Sequence, residues 1–391
     1  MNEPVKKTRI FFIFPILFVF YYLLGLSGYG SYCNTYMMIR AGRNLILQGI
    51  YFPSRQPGYL IPEIVIGWSS LIGAHYLSNL ISALFGAGVV YIFWRILREK
   101  FSASTALLIA LIAGLNPYFI ISASSSMDDA YSLFFALAGI LLLIKRKELL
   151  ASLTFSLAIS SRLPAVLLIG IAYLYFMYKA INNKDFRALS HLIISGILTT
   201  FLATALFVPI YLAYGRSFWF LHYKDAGPFT FFGHLVRFVY KNIYLFGLFP
   251  FIVLAGSILW KGFKRQLRVP LSAGLLSALA IIVAYGILFF YIPMNIRYIL
   301  TLVFVIIPLW VFVCRPGKIA LSLLLALTIF YGFVVNVDIL DVRYNEAGNE
   351  AIAADVGIFL RPGVIIKDIK ARPEAAKYFF SEYNIKKKAW D

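Results

Sequence analysis

The sequence predicts an all-α polytopic membrane protein with about eleven transmembrane helices, and three observations carry that expectation. Apolar runs recur along the whole chain, several of them near the roughly 20 residues that a helix needs to cross a hydrocarbon core. Of the 391 residues, 61% are hydrophobic and only 14% are charged, where soluble domains carry about 25%. The cations gather in short clusters between the apolar runs, the arrangement that orients membrane helices. The same arrangement explains the net charge of +19 and argues against nucleic acid as a partner, since no basic face or stripe is formed.

The expected spans are residues 10–26, 76–94, 105–123, 129–144, 149–160, 163–178, 189–213, 243–260, 271–292, 297–313 and 319–335. The first follows a charged, signal-like start, MNEPVKKTR, without a small-residue cleavage site, and reads as an uncleaved anchor. With the N-terminus in the cytoplasm, 18 of the 36 Lys and Arg residues fall inside, nine in external loops and nine in the C-terminal tail. That bias sets the orientation and puts the C-terminus outside, in the cell membrane's external space. Residues 60–74, LIPEIVIGWSSLIGA, are long enough for a further short span, which would invert everything after them. Glu63 and the polar His75 and Asn79 that follow favour a helix lying at the external interface. The segments 149–160 and 163–178 are short, and form a shallow hairpin with its bend at Arg162-Leu163-Pro164.

On this reading residues 1–335 are a multi-pass domain with two external loops, 27–75 and 214–242. The second loop mixes aromatic and basic residues and suits the lipid–water interface, with Tyr223-Lys224-Asp225 placed to cover a site. The polar tail, 336–391, predicts a small external α/β appendage: a helix over 346–360, a turn at Arg361-Pro362-Gly363, a short strand over 364–369 and a helix from Pro373. Cys33 and Cys314 fall on opposite faces of the membrane and cannot pair. His222 and His234 lie twelve apart without zinc-ligand spacing, and no phosphate-binding glycine loop occurs, so neither zinc nor nucleotide is implied.

The most polar interruption of the first half, Ser27 to Tyr59, carries the chemistry-bearing residues. In order, the chain has Asn34-Thr35-Tyr36 followed by Arg40, then Gly49, Ser54-Arg55-Gln56-Pro57-Gly58-Tyr59, Asn116-Pro117, Ser126-Met127-Asp128-Asp129 and Ser160-Ser161-Arg162. Over residues 10–180, and more loosely in the tail, this succession resembles the GT-C superfamily of integral-membrane glycosyltransferases. The resemblance implies a GT-C-like fold, a polyprenyl-phosphate carrier as sugar donor, and a glycan, lipid or protein acceptor on the external face. It also implies an acid in the first external loop, where this sequence has Asn34. An amide takes no proton near neutral pH, so a general base must come from elsewhere.

Asp128 and Asp129 are the leading candidates, as a base or as ligands for a divalent cation or sugar hydroxyls. Acids in the first turn of a helix also simply complement its dipole. Glu63, the nearest acid after Asn34, is the rival base. Arg40, Arg43, Arg55 and Arg162 are candidates to hold a lipid phosphate, because guanidinium groups offer paired donors to phosphate oxygens. Arg162 stands out, since a cation at the bilayer centre costs about 2.5 to 3.5 kcal/mol unless it faces a cavity or a partner. A flippase or transporter of lipid-linked glycans would also want a basic cavity, and a non-catalytic membrane subunit that binds the carrier would not need the missing acid. Paired halves with broken helices, common in transporters, are not evident in the sequence.

Overall fold

A computed structural model describes residues 12–55, 57–215, 231–265, 272–292, 296–344 and 350–368. The chain is helical almost throughout: α1 (Ile13–Gly25), α2 (Cys33–Gln48), α3 (Leu60–Leu97), α4 (Ala103–Gly114), α5 (Pro117–Ser124), α6 (Asp128–Ile144) and α7 (Glu148–Ser161). They continue with α8 (Ala165–Asn182), α9 (Phe186–Tyr214), α10 (Phe231–Phe246), α11 (Leu248–Phe263) and α12 (Ala273–Tyr291). A 3-10 helix (Ile296–Leu302) leads into α13 (Val303–Cys314), followed by α14 (Lys318–Phe333) and the strands β1 (Val335–Tyr344) and β2 (Glu350–Pro362).

By length and composition five described helical stretches are able to cross a membrane, or up to seven if each of two bent pairs is one span. Four shorter apolar helices, Ile13–Gly25, Asp129–Ile144, Glu148–Ser161 and Lys318–Phe333, fall at the remaining expected segments. At 1.5 Å per residue, the 14 residues of α7 rise only about 21 Å, short of a roughly 30 Å core. The buried centre is formed by α3 to α7, the 3-10 helix and α13. The outer helices α9 and α12 turn apolar residues outward, Leu212 at 76% and Val283 at 58% exposure, as a lipid-facing surface requires.

Four features depart from the sequence expectations. The segment 27–75, expected as an external loop, is largely helix: α2 and the first arm of α3 cross so closely that a Cβ on Gly42 would lie 1.9 Å from the Glu63 carbonyl oxygen, and one on Gly67 2.5 Å from the Gly42 backbone. Only glycine admits that approach. The expected interfacial helix 60–74 is the first arm of α3, set off from the second by non-helical backbone at Gly73 and Ala74. The expected spans 105–123 and 243–260 are bent pairs. α4 and α5 meet at 72° and α10 and α11 at 102°. The first bend follows from Asn116, whose side chain accepts from the Tyr118 amide with Pro117 at the next position. The second is at Gly247, whose φ of 86° no β-carbon-bearing residue adopts easily. The Asn116 amide also donates to the Leu245 carbonyl at 2.9 Å, so the two breaks are fastened together. α10 occupies the end of what reads as the loop 214–242, while Tyr223-Lys224-Asp225 and His222 lie outside the described residues.

The fourth departure is in the tail. The expected helix over 346–360 is replaced by β2, paired antiparallel to β1 with Val335 opposite Pro362 and Asp338 opposite Phe359. Residues 352–360 are apolar at every second position (Ile352, Ala354, Val356, Ile358, Leu360), a period of two that the alanine content obscures, and Gly357 weakens a helix there. Residues 364–368, expected as a strand, are helical. They dock beneath α14, where Gly363 lies against the Gly332 and Phe333 backbone. The helix expected from Pro373 lies outside the described residues.

Candidate functional site: a buried cluster of two aspartates and three arginines

α6 begins where the turn Ser125 to Met127 leaves α5, and this start is held in place by polar groups that the core buries. Asn79 on α3 donates to the Gly25 and Gly28 carbonyls at 2.7 and 2.6 Å and accepts from the Ser126 hydroxyl at 2.8 Å. One amide thereby ties the end of α1 and the loop after it to the turn that precedes Asp128. Ser132, one turn into α6, donates to the Ala158 carbonyl of α7 at 3.1 Å, which fixes the helix against the hairpin carrying Arg162.

Three guanidinium groups from distant parts of the chain meet the two carboxylates at this helix start. Arg55, in the loop between α2 and α3, reaches Asp128 Oδ2 at 2.5 Å. Arg162, at the α7–α8 bend, lies 3.3 Å from the same oxygen and also pairs with Asp129 Oδ1. Arg297, in the 3-10 helix, donates Nε to Asp129 Oδ2 at 2.6 Å and Nη2 to Asp128 Oδ1 at 3.2 Å, and Nη2 also pairs with Asp129. Ser122 adds a hydroxyl at 3.2 Å from Asp129 Oδ2. Asp128 is fully buried, and Asp129, Arg162 and Arg297 nearly so. Each guanidinium also faces an aromatic ring, Arg55 over Tyr59 at 4.5 Å, Arg162 over Tyr298 at 5.1 Å and Arg297 over Tyr32 at 5.2 Å. Burial opposes the charge on Arg55, but Asp128 and its other neighbours outweigh that cost and hold its pKa above the ordinary value.

Beside Asp129, Arg162 and Arg297 lies a small cleft with room for about one water molecule. Tyr285, Tyr298 and Thr301 complete its polar end, while Leu133, Ala136, Leu168 and Leu300 form apolar walls. Its charged end joined to an apolar wall is the lining that an anionic head and a hydrocarbon tail would meet once the cleft widened to admit them. Two carboxylates against three guanidiniums leave the five side chains with a surplus positive charge, which favours an anion and disfavours a divalent cation there. Among the described residues no three His, Cys, Asp or Glu side chains come together in a metal-binding group.

The other candidates are placed elsewhere. Glu63 is fully buried and accepts three hydrogen bonds, from the Ser54 amide at 2.9 Å, the Ser54 hydroxyl at 2.5 Å and the Tyr51 hydroxyl at 2.5 Å. Burial and the Glu63 carboxylate push the Tyr51 pKa up, so that it stays a donor. Glu63 thus closes the loop that presents Arg55. Arg43 turns back onto α3, with Nε on the Ser70 hydroxyl and Nη2 on the Ser70 carbonyl, both at 2.9 Å, and Arg40 is exposed on α2. Asn34 sits half-buried in the first turn of α2. His234 contacts the Phe290 carbonyl at 2.8 Å, and Cys314 is a buried free thiol. The sequence reading passed over Arg297 as one more external cation. The argument that singled out Arg162, a charge at the edge of an apolar run, applies to it equally.

This arrangement defines a polytopic helical protein with a buried cluster of two aspartates and three arginines. No protein-family model and no curated protein matches the sequence. Among solved structures, the crystal structure of ArnT from Cupriavidus metallidurans bound to undecaprenyl phosphate is similar, with a TM-score of 0.57 at 16% identity. The match covers 82% of this chain and 62% of that one, so the chain corresponds to less than two thirds of its neighbour's length. The fold is GT-C-like, as the order of motifs in the first 180 residues implies.

Proposed function

We propose that the protein is a GT-C-type glycosyltransferase that takes a sugar from a polyprenyl-phosphate carrier and moves it to an acceptor at the membrane. The observation that carries this is the convergence of Arg55, Arg162 and Arg297 on Asp128, with Arg162 and Arg297 also bordering a cleft with apolar walls. A structural neighbour that binds undecaprenyl phosphate supports the same carrier class. In this reading the guanidiniums hold the carrier phosphate and stabilise it as it departs from the anomeric carbon. Asp128, the more deeply placed carboxylate, keeps the three guanidiniums in position. Asp129 borders the cleft and is the proton acceptor. A phosphate that draws on the donors of Arg162 and Arg297 loosens their hold on Asp129, so the base is released when the donor is bound. Mass spectrometry of carrier-linked sugars should show one species accumulating when the gene is removed, with its sugar missing from a surface glycan or lipid. Unchanged profiles of both would count against the reading.

The charge bias of the sequence supports an external face for this site. In a background without Cys33 and Cys314, Gln48→Cys should label with an impermeant thiol reagent on intact cells and Lys147→Cys should not. The reverse pattern would move the site to the cytoplasm. One feature favours a second reading, a carrier-binding subunit without activity of its own: Asn34 stands where the GT-C resemblance implies an acid.

A further inference from the structure

The C-terminal hairpin is built inside out. Its register sets Val335 opposite Pro362, Asn336 opposite Arg361, Val337 opposite Leu360 and Asp338 opposite Phe359, and residues directly opposite each other share a face of the pair. One face carries Asn336, Asp338 and Arg361, and it is turned toward the protein, where β1 packs against α14 and α11. Asn336 and Asp338 are each 2% exposed, Asn336 donates to Asp338 Oδ1 at 2.8 Å, and Arg361 pairs with Asp338 at 3.3 Å. The other face carries Val335, Val337, Leu360 and Pro362 and, by alternation, Ile339 and Ile358, all of them apolar. Ile358 and Leu360 are 79% and 75% exposed.

For a hairpin standing in water this is the wrong way round, because a half-solvated antiparallel pair turns its apolar face to the core and its polar face out. Two observations say what meets the apolar face. The first is the length of α14. Arg315 and Lys318 mark a membrane boundary at its start, and its 16 residues rise only about 24 Å, about 6 Å less than a roughly 30 Å hydrocarbon core. The chain is therefore still inside the apolar layer where β1 begins and where its partner β2 ends. The second is continuity: the exposed apolar stripe of α14, Ile319, Leu323 and Phe330, runs on through exposed Val334 to the first residue of β1.

We propose that the outer face of the hairpin is a lipid-binding surface: its base is seated in the acyl-chain layer at the membrane boundary, with Leu360 against hydrocarbon, Ile358 at the rim, and Asn336, Asp338 and Arg361 shielded beneath. The start of the tail then belongs to the membrane domain instead of to an aqueous appendage. Its backbone limits how deep it sits. A two-stranded sheet keeps unpaired N–H and C=O groups along its outer edges, which hydrocarbon cannot satisfy, so the strands stay within reach of headgroups and interfacial water. At about 3.3 Å per residue, Val337 and the opposing Leu360 reach the boundary if the strands run straight out, and lie deeper if they slope along it. The seating does not depend on the glycosyl-transfer reading.

The test uses the purified full chain without Cys33 and Cys314, reconstituted in phosphatidylcholine liposomes, with a nitroxide label on Leu360→Cys or Ile358→Cys. Collisions of the label with oxygen, which partitions into lipid, are compared with those of a water-soluble nickel chelate. Val283→Cys on the outer face of α12 serves as the lipid reference and Lys147→Cys as the aqueous one. Leu360→Cys should favour oxygen severalfold over the chelate, as Val283→Cys does, and Ile358→Cys should fall between the two references. Both side chains are exposed, so neither label has to displace the core. Should Leu360→Cys not fold, the position of Ile358→Cys between the references decides. A preference for the chelate equal to that of Lys147→Cys would put the hairpin in water. Low collision rates with both reagents would mean that another part of this chain or a second copy covers the face. Either result overturns the proposal.

Discussion

Arg297→Ala is expected to weaken binding of a short-chain polyprenyl phosphate to the purified protein by about ten- to a hundredfold, the range for losing charge-assisted hydrogen bonds to an oxyanion. It is also expected to lower stability. The side chain is 1% exposed and bonds both Asp128 and Asp129, and removing one partner of a buried pair costs about 3 to 5 kcal/mol. Equilibrium binding read beside the thermal midpoint separates the two effects. Arg297→Lys keeps the charge but not the two-pronged geometry, so it should recover much of the stability and only part of the affinity. An Arg297→Ala protein that binds the lipid like the parent would reduce the guanidinium to a structural counter-ion of the aspartates.

Asp129→Asn should lower sugar transfer by roughly two to four orders of magnitude, the contribution of a general base, while donor binding stays within about tenfold of the parent. The amide keeps the size of the carboxylate and can still accept from Arg162 or Arg297, which limits the loss of fold. Asp128→Asn should act differently. It weakens the anchor that Arg55, Arg162 and Arg297 share, so its main effects should be on stability and on carrier binding. Glu63→Gln is the parallel arm. With three donors already on its carboxylate, Glu63 holds the Tyr51–Ser54 loop, and its amide variant should keep transfer within about tenfold. Transfer that survives in Asp129→Asn and collapses in Glu63→Gln would exchange their roles.

Much of the architecture was legible because membrane helices announce themselves by run length and by the clusters of cations between them. What escaped was decided by contacts between distant residues. The bend at Gly247 depends on a backbone angle, and the crossing of Gly42 with Gly67 on close packing that spacing does not encode. The hairpin of β1 and β2 won over an alanine-rich helical reading because each strand supplies the other's backbone partners. At the site, Asp128, Asp129, Arg55 and Arg162 were readable as charges interrupting apolar sequence. Their meeting with Arg297, 168 residues beyond Asp129, was not. Nor was the use of Glu63 as a loop clasp, since a lone acid after Asn34 reads equally well as a base.

The central claim is tested most directly by sugar transfer in proteoliposomes that contain only the purified protein, a radiolabelled polyprenyl-phosphate sugar and a membrane extract depleted of other transferases as the source of acceptor. The account predicts label moving from the carrier to an acceptor in the parent, abolished in Asp129→Asn and reduced in Arg297→Ala through weaker donor binding. Tight binding of the carrier without any transfer by the parent, across extracts that contain the acceptor, would contradict it and leave a carrier-binding subunit.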